Sequence, residues 1–271
     1  VQKILSQMEA TSLTLYHSPL LSGSRAVHAF LLINEIPFKL VVIDVVKGEH
    51  ATHPVVSNLK ININHILPVI EDGDTVLYDS ASILRYLFNK FCRNRYLELK
   101  PFGQLPQTPR ASFRNFANLV DWFPRTAASR ALINEYLDWH SKNLGKYVRE
   151  CDQVAVMSRL NRKDSMLNAD EFNPLHKELE SGLKFLEQRL ERSFFITGDK
   201  VTVADLYTAQ DLLQTKLWKE DLSKYPKITE WMKEIEFALG SSWKSANKDF
   251  ELHMSMVHSQ LRWALPESNK A

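Results

Sequence analysis

Cysteine is almost missing from these 271 residues: Cys92 and Cys151 stand far apart, with no C-x-x-C pair, and no N-x-S/T sequon occurs. That excludes a disulfide framework and a paired thiol-disulfide motif, and it leads us to expect a reducing, cytoplasmic setting. No apolar run approaches the roughly 18 residues a transmembrane helix needs, so no helical membrane insertion is expected. Charge of one sign is lacking too. A formal net charge of +2 argues against a dedicated nucleic-acid surface. The opening VQKILSQMEATS has no apolar core of signal-peptide length, so Met8 is the expected start and residues 1–7 are left out of the fold. Repeats and low-complexity segments are absent, and no metal site is expected.

What is present is ordinary globular material, 44% hydrophobic and 24% charged, with room for one large or two modest domains. The clearest local grammar lies in His65–Phe91. Leu67-Pro68-Val69-Ile70 is a strand-like run, Asp72-Gly73-Asp74 reverses the chain, and Val76-Leu77-Tyr78 is a second strand. Asp79 and Ser80 sit where an N-cap belongs, ahead of a helix whose apolar stripe is Ile83, Leu84, Leu87, Phe88 and Phe91. Proline at a strand start points to a cis bond and to a first strand that keeps one edge free for a bound peptide. Backbone N–H groups at Asp79-Ser80 suit a carboxylate at the helix's positive end. An ordinary hairpin with a capped helix accounts for the same residues.

Taken in order, Leu13-Thr14-Leu15-Tyr16 reads as a first strand, His17–Gly23 as a loop, and Ser24 as the cap of a helix carrying Val27, Phe30, Leu31 and Ile33. Phe38–Val45 is β-branched and continuous enough to be a strand buried on both faces. Strand, helix, strand implies a right-handed βαβ unit with a parallel pair. A short helix over 54–60 completes βαβαββα, a mixed-sheet domain over 12–91. Residues 92–120, rich in proline, arginine and phenylalanine, break the pattern and read as a linker or insertion. From 121 to 265 the periodicity is helical throughout: Ala127–Tyr147, a leucine seam from Leu175 to Leu190, a Thr202–Asp205 capping box, then Thr229–Ala238 and Lys244–Trp263. An α/β domain followed by an all-α domain is the expected architecture.

The order "Leu-Pro, acidic-Gly turn, Asp-Ser, Ile/Leu-rich helix" resembles the glutathione-binding half of the thioredoxin-like domain of glutathione transferases. Ser22 to Arg25 and Lys47-Gly48-Glu49-His50 resemble the theta and delta classes. Tyr136-Leu137-Asp138-Trp139-His140 looks like theta-class helix four, and Phe195-Ile196-Thr197-Gly198 with Thr202-x-x-Asp205 is similar to the family's C-terminal signature. The likeness runs from about Leu13 to Phe250. It implies the glutathione-transferase fold, glutathione as co-substrate, a small hydrophobic electrophile or organic hydroperoxide as second substrate, a homodimer, and a detoxifying role.

The resemblance also implies site residues. A serine in the loop after the first strand would hold the glutathione thiolate, the form that attacks; Ser22 is the expected residue, with Ser18 and Ser24 as substitutes. The family serine stands four residues before the arginine matching Arg25, where this chain has Leu21, and the loop proline is Gly23. Flexibility at Gly23 would let Ser22 swing into place. His50 and His65 would meet the glycine end of glutathione; Leu67 and Val69 would flank a cis-Pro68 in the glutathione site, with the Val69 backbone pairing with the cysteinyl unit; and Asp79 and Ser80 would hold the γ-glutamyl group. The family usually has glutamate where Asp79 stands. Tyr136, Trp139, Trp243, Phe250 and Trp263 would border the electrophile pocket, but aromatics more often serve the core. Cys92 and Cys151 lie away from the loop, which disfavours a cysteine-type enzyme. Leu21, Asp79 and the insertion also support an alternative, a catalytically weak binding or assembly module on the same fold.

Overall fold

The computed structural model describes residues 13–58, 62, 64, 66–92, 120–162 and 167–261. The expected insertion therefore lies almost wholly outside the described residues, as do His65 and Trp263. Strand β1 (Leu13–His17) leads through a tight loop into helix α1 (Ser22–Ile33), then to β2 (Lys39–Val42). After a 3-10 turn at Glu49–Ala51 come β3 (Val69–Asp72), β4 (Thr75–Tyr78) and helix α2 (Ser80–Leu87). The sheet order is β2-β1-β3-β4, with β1 and β2 parallel and the other pairs antiparallel. This is the mixed sheet the sequence led us to expect.

Period-2 alternation sorts the sheet's side chains onto two faces. Leu13, Leu15 and Ile70 join α1's Val27, Phe30 and Leu31 in a core that continues through the helical half to Leu261. Fully burying each such aliphatic or aromatic side chain is worth roughly 1.5–3 kcal/mol. Tyr16 and Val69 turn to the other face, where they pack with Leu20, Ile43, Val45, Val56 and Leu67.

Two local expectations need correction. β2 is an edge strand, with Leu40 39% and Val42 55% exposed, because its β-branched run specifies extended backbone but not its place in the sheet. The short helix expected over 54–60 does not form in the described part of that stretch. The chain instead tightens one step earlier at Glu49–Ala51 and runs on in turns. The hairpin itself agrees with the sequence reading, with Gly73 at φ 61° and a cis Leu67–Pro68 bond. The Asp72 carboxylate anchors it to α2 and to the helical turn at Phe88–Cys92, accepting from the Tyr86 hydroxyl (2.9 Å) and Lys90 Nζ (2.5 Å).

The rest of the described chain is helical: α3 (Ala127–Lys142), α4 (Leu144–Asp152), α5 (Ser158–Arg162), α6 (Ala169–Leu190), α7 (Val203–Gln214) and α8 (Pro226–Gln260). The expected helix through Tyr147 breaks at Asn143. The two expected final helices join across a kink at Gly240. The capping box forms as expected: Thr202 N–H donates to Asp205 Oδ2 at 2.9 Å, and Asp205 Oδ1 also accepts from Trp231 Nε1. Helix α7 is buried along its whole length and packs against α1, as does α8, so the two helices together join the helical half to the first.

Candidate functional site

The site begins where β1 ends. Leu21 N–H donates back to Ser18 O (3.1 Å), and the first helical bond of α1 runs from Arg25 N–H to Leu21 O (3.1 Å). Leu21 occupies the N-cap with extended backbone and gives no side-chain cap. The N–H groups of Ser22, Gly23 and Ser24 thus head an α1 turn that its own sequence leaves uncapped. Leu21 itself is half-buried against the cluster that contains Tyr16, Leu67 and Val69.

Helix α2 starts beside this turn. Asp79 caps it, its Oδ1 accepting from Ser82 N–H at 3.0 Å, and Ser80 is its first residue, buried. Asp79 does so at φ 74°, ψ 117°, a conformation rare for a residue with a side chain and worth about 1–3 kcal/mol of strain. Strain of that kind concentrates at functional sites. A Cβ built at Gly23 would overlap Ser80 Oγ and stand 3.6 Å from Pro68 Cδ, so a larger residue where the two helix starts meet the cis proline must turn the Ser80 hydroxyl aside. Gly23 therefore serves close approach inside a regular helix, where the sequence had suggested a flexible loop. From α7, Tyr207 reaches the same point. Burial and the neighbouring Asp211 raise its phenol, and the nearby Ser80 hydroxyl partly offsets that rise.

Ser22 does something other than what the sequence led us to expect. Its hydroxyl donates to Asp211 Oδ1, and Asp211 Oδ2 meets His140 Nε2 at 2.7 Å, all three residues being buried. Burial alone would raise the Asp211 carboxyl. The hydrogen bond from His140, with Arg149 and Ser22 nearby, outweighs it and holds the group below the usual carboxylate range. A hydroxyl has one proton, and here an ionised carboxylate takes it, so Ser22 is not placed to donate to a thiolate. Nor is this a hydrolase triad, because the carboxylate stands between serine and imidazole and no base touches the serine. Ser24 Oγ accepts from Ser18 N–H at 3.3 Å, and both serines are buried.

The remaining expected residues divide. Leu67 lies just outside β3, beside Pro68. Val69 is paired with Tyr16 on one side and Tyr78 on the other, so it has no free strand edge, and the edge expected of the first hairpin strand is confined to Leu67. His50 sits in the 3-10 turn with its Nδ1 buried and unbonded among the described residues. Asp79's carboxylate is occupied as a cap, while Ser80 stays at the helix start. Of the aromatics, Tyr136, Trp243 and Phe250 are buried in the core, and Phe250 underlies the Arg25 guanidinium at 3.9 Å. Cys92 and Cys151 form no disulfide and are buried, and burial pushes the Cys151 thiol up to about 12. No group of three or more metal-ligating side chains occurs among the described residues.

Sequence reasoning missed Tyr207, Asp211, Gln210 and Gln214. They come to the site from α7, and no local signal marks a partner 189 residues away. Chemically, two helix starts converge at a cis proline, one uncapped, both with positive ends inward. That suits a ligand with one carboxylate and a second developing anion.

This arrangement is a mixed-sheet α/β unit of the thioredoxin-like type followed by a helical one. The patterns of the glutathione S-transferase N-terminal and C-terminal domains match residues 15–95 and 162–234. Human glutathione S-transferase theta-2 is 30% identical over 220 residues, covering 80% of this chain and 78% of that protein. Mouse theta-2 is 28% identical over 236 residues, covering 84% and 82%. The solved structure of human theta-2 in complex with glutathione superposes with a TM-score of 0.71 at 26% identity, covering 94% of each chain. The chain belongs to the glutathione S-transferase family, and the relatives just named are of the theta class.

Proposed function

We propose that this protein is a theta-like glutathione transferase that joins the glutathione thiolate to small hydrophobic electrophiles or uses it to reduce organic hydroperoxides. The observation that carries the reading is the meeting of Gly23, cis-Pro68 and Ser80 at two helix N-termini. Ser80 and the start of α2 take the γ-glutamyl carboxylate. The backbone at Leu67 pairs with the cysteinyl unit, and His50, with His65, takes the glycine carboxylate. The sulfur then faces the first turn of α1. There the free N–H groups and helix dipole favour the anion in place of a side-chain hydroxyl. Leu21 gives that sulfur an apolar neighbour, which suits a hydrophobic co-substrate. A cytoplasmic homodimer with a detoxifying role goes with this reading.

Calorimetry with glutathione, followed by turnover assays with an aryl halide and cumene hydroperoxide, tests it. Micromolar to low-millimolar binding with turnover is expected, and Ser80→Ala should weaken binding. Absence of glutathione binding would overturn it.

One observation favours a second reading. Leu21 stands where theta-like enzymes have serine, and Ser22 is engaged with Asp211. On that reading the chain binds glutathione but serves as a binding or assembly module. Tight binding without turnover of either substrate class would select it.

A further inference from the structure

We infer that Asp211 is a positioning residue for the sulfur-facing first turn of α1, acting from the helical domain through the Ser22 hydroxyl. The inference rests on the glutathione reading above.

That turn is loose by its own composition. Leu21 cannot cap it, and Gly23 in its second position leaves the backbone freer than any other residue would. Yet its N–H groups are the ones that must face a developing charge, and such donors act only when preorganised. The restraint comes from α7. Ser22 donates to Asp211, Gln214 Nε2 donates to Leu20 O (2.8 Å), and Arg25, held by Gln210 and Gln214 at 3.0 and 2.8 Å, donates to Pro19 O (2.8 Å). The loop from Pro19 to Ser22 is thus fixed by side chains of one buried helix in the other domain.

Asp211 is built for holding. Its carboxyl is kept below the usual range, which makes it a poor proton acceptor and excludes a relay from thiol through Ser22. His140 fixes its other oxygen. The close approach needs Gly145, where a Cβ would stand 2.7 Å from His140 Nε2 and 2.8 Å from Asp211 Oδ2.

The test is the pH midpoint of thiolate formation by bound glutathione, read from thiolate ultraviolet absorbance in protein saturated with glutathione, well below the melting temperature. Wild type, Ser22→Ala, Asp211→Asn and the double variant form a cycle, with Ser22→Thr as the conservative rescue. We expect each single loss to lower the thiol ionisation constant about threefold or more. The double variant should do no more than Ser22→Ala alone, and Ser22→Thr should restore the wild-type midpoint. A carboxylate acting only by its charge would give the opposite sign, because neutralising it would ease thiolate formation. A lowered midpoint in Asp211→Asn, additive shifts, or an unchanged midpoint with only a lower melting temperature each overturn the inference. If Asp211→Asn does not fold, the Ser22→Ala and Ser22→Thr pair decides alone. Wild-type protein that binds no glutathione removes the functional reading and this inference together, whereas binding with unmoved midpoints removes this inference only.

Discussion

Gly23 and Ser80 lie against each other so closely that a Cβ at position 23 would displace the Ser80 hydroxyl. The contact joins the first turns of two helices that are distant in sequence, beside Pro68.

Gly23→Ala tests this contact. Alanine has the higher helix propensity, by about 1 kcal/mol, so α1 alone would gain stability. The added Cβ must instead displace Ser80 or part the helices. We expect the glutathione dissociation constant to rise about tenfold or more, equivalent to roughly 1.4 kcal/mol, with a melting temperature unchanged or lower. Calorimetry and a thermal melt measure both; an unaltered affinity with a raised melting temperature would detach the contact from binding.

Leu21→Ser is expected to increase turnover. It supplies a hydroxyl at the uncapped start of α1, worth about 1 kcal/mol as a cap, and it adds a donor on the sulfur side. Leu21 is only half-buried, so the lost packing is smaller than for a core leucine. A gain of about tenfold in kcat/KM is expected from steady-state rates with an aryl halide. No gain, with binding intact, would show that the sulfur does not lie beside position 21.

Much of the site was legible from local signals. Pro68, Gly73 and Asp79 each announce their backbone, and the hairpin and α2 form around them as read. Strand β2 shows where such signals stop. Its composition marks a strand, but sheet order depends on contacts that no neighbouring residue encodes. Ser22 shows the same limit at the site. It sits in the right loop, but its hydroxyl answers to Asp211, and only the packing of α7 on α1 reveals which way it points. Gly23 was visible as a departure from the family pattern, but flexibility and close approach read alike in sequence.

His17 makes acid stability a test of burial. Desolvation, with His28 and Arg25 near, drives its imidazole down to about 3 from an ordinary 6.5. Below pH 6.5 the unfolded chain takes up a proton that the folded chain refuses until about pH 3. The stability this group contributes is therefore fully present above 6.5 and falls as pH drops, by up to about 1.4 kcal/mol per unit. His17→Gln should remove this contribution. Denaturant melts between pH 4.5 and 6.5 would show the loss, and a slope unchanged from wild type would mean that His17 is protonated in the folded protein.

Asp152 works in the opposite direction, and the two groups mask each other. Burial raises its carboxyl to about 7 against hydrogen bonding from Gln214 and the charge of Arg25. Between its ordinary value near 3.8 and pH 7, the folded chain keeps a proton that the unfolded chain releases. Stability from this group is thus greatest at low pH and declines with rising pH, again by up to about 1.4 kcal/mol per unit, levelling off above 7. From about pH 4.5 to 6 the His17 and Asp152 slopes run in opposite directions and offset each other in the wild type. Asp152→Asn should uncover the His17 slope, with stability rising as pH rises, while His17→Gln should uncover the Asp152 slope, with stability falling. Unfolding free energies at pH 4.5, 5.5 and 6.5 for the three proteins decide it. Variant curves parallel to wild type would refute both assignments, and one unmasked slope without the other would identify which buried group is ionised in the native fold.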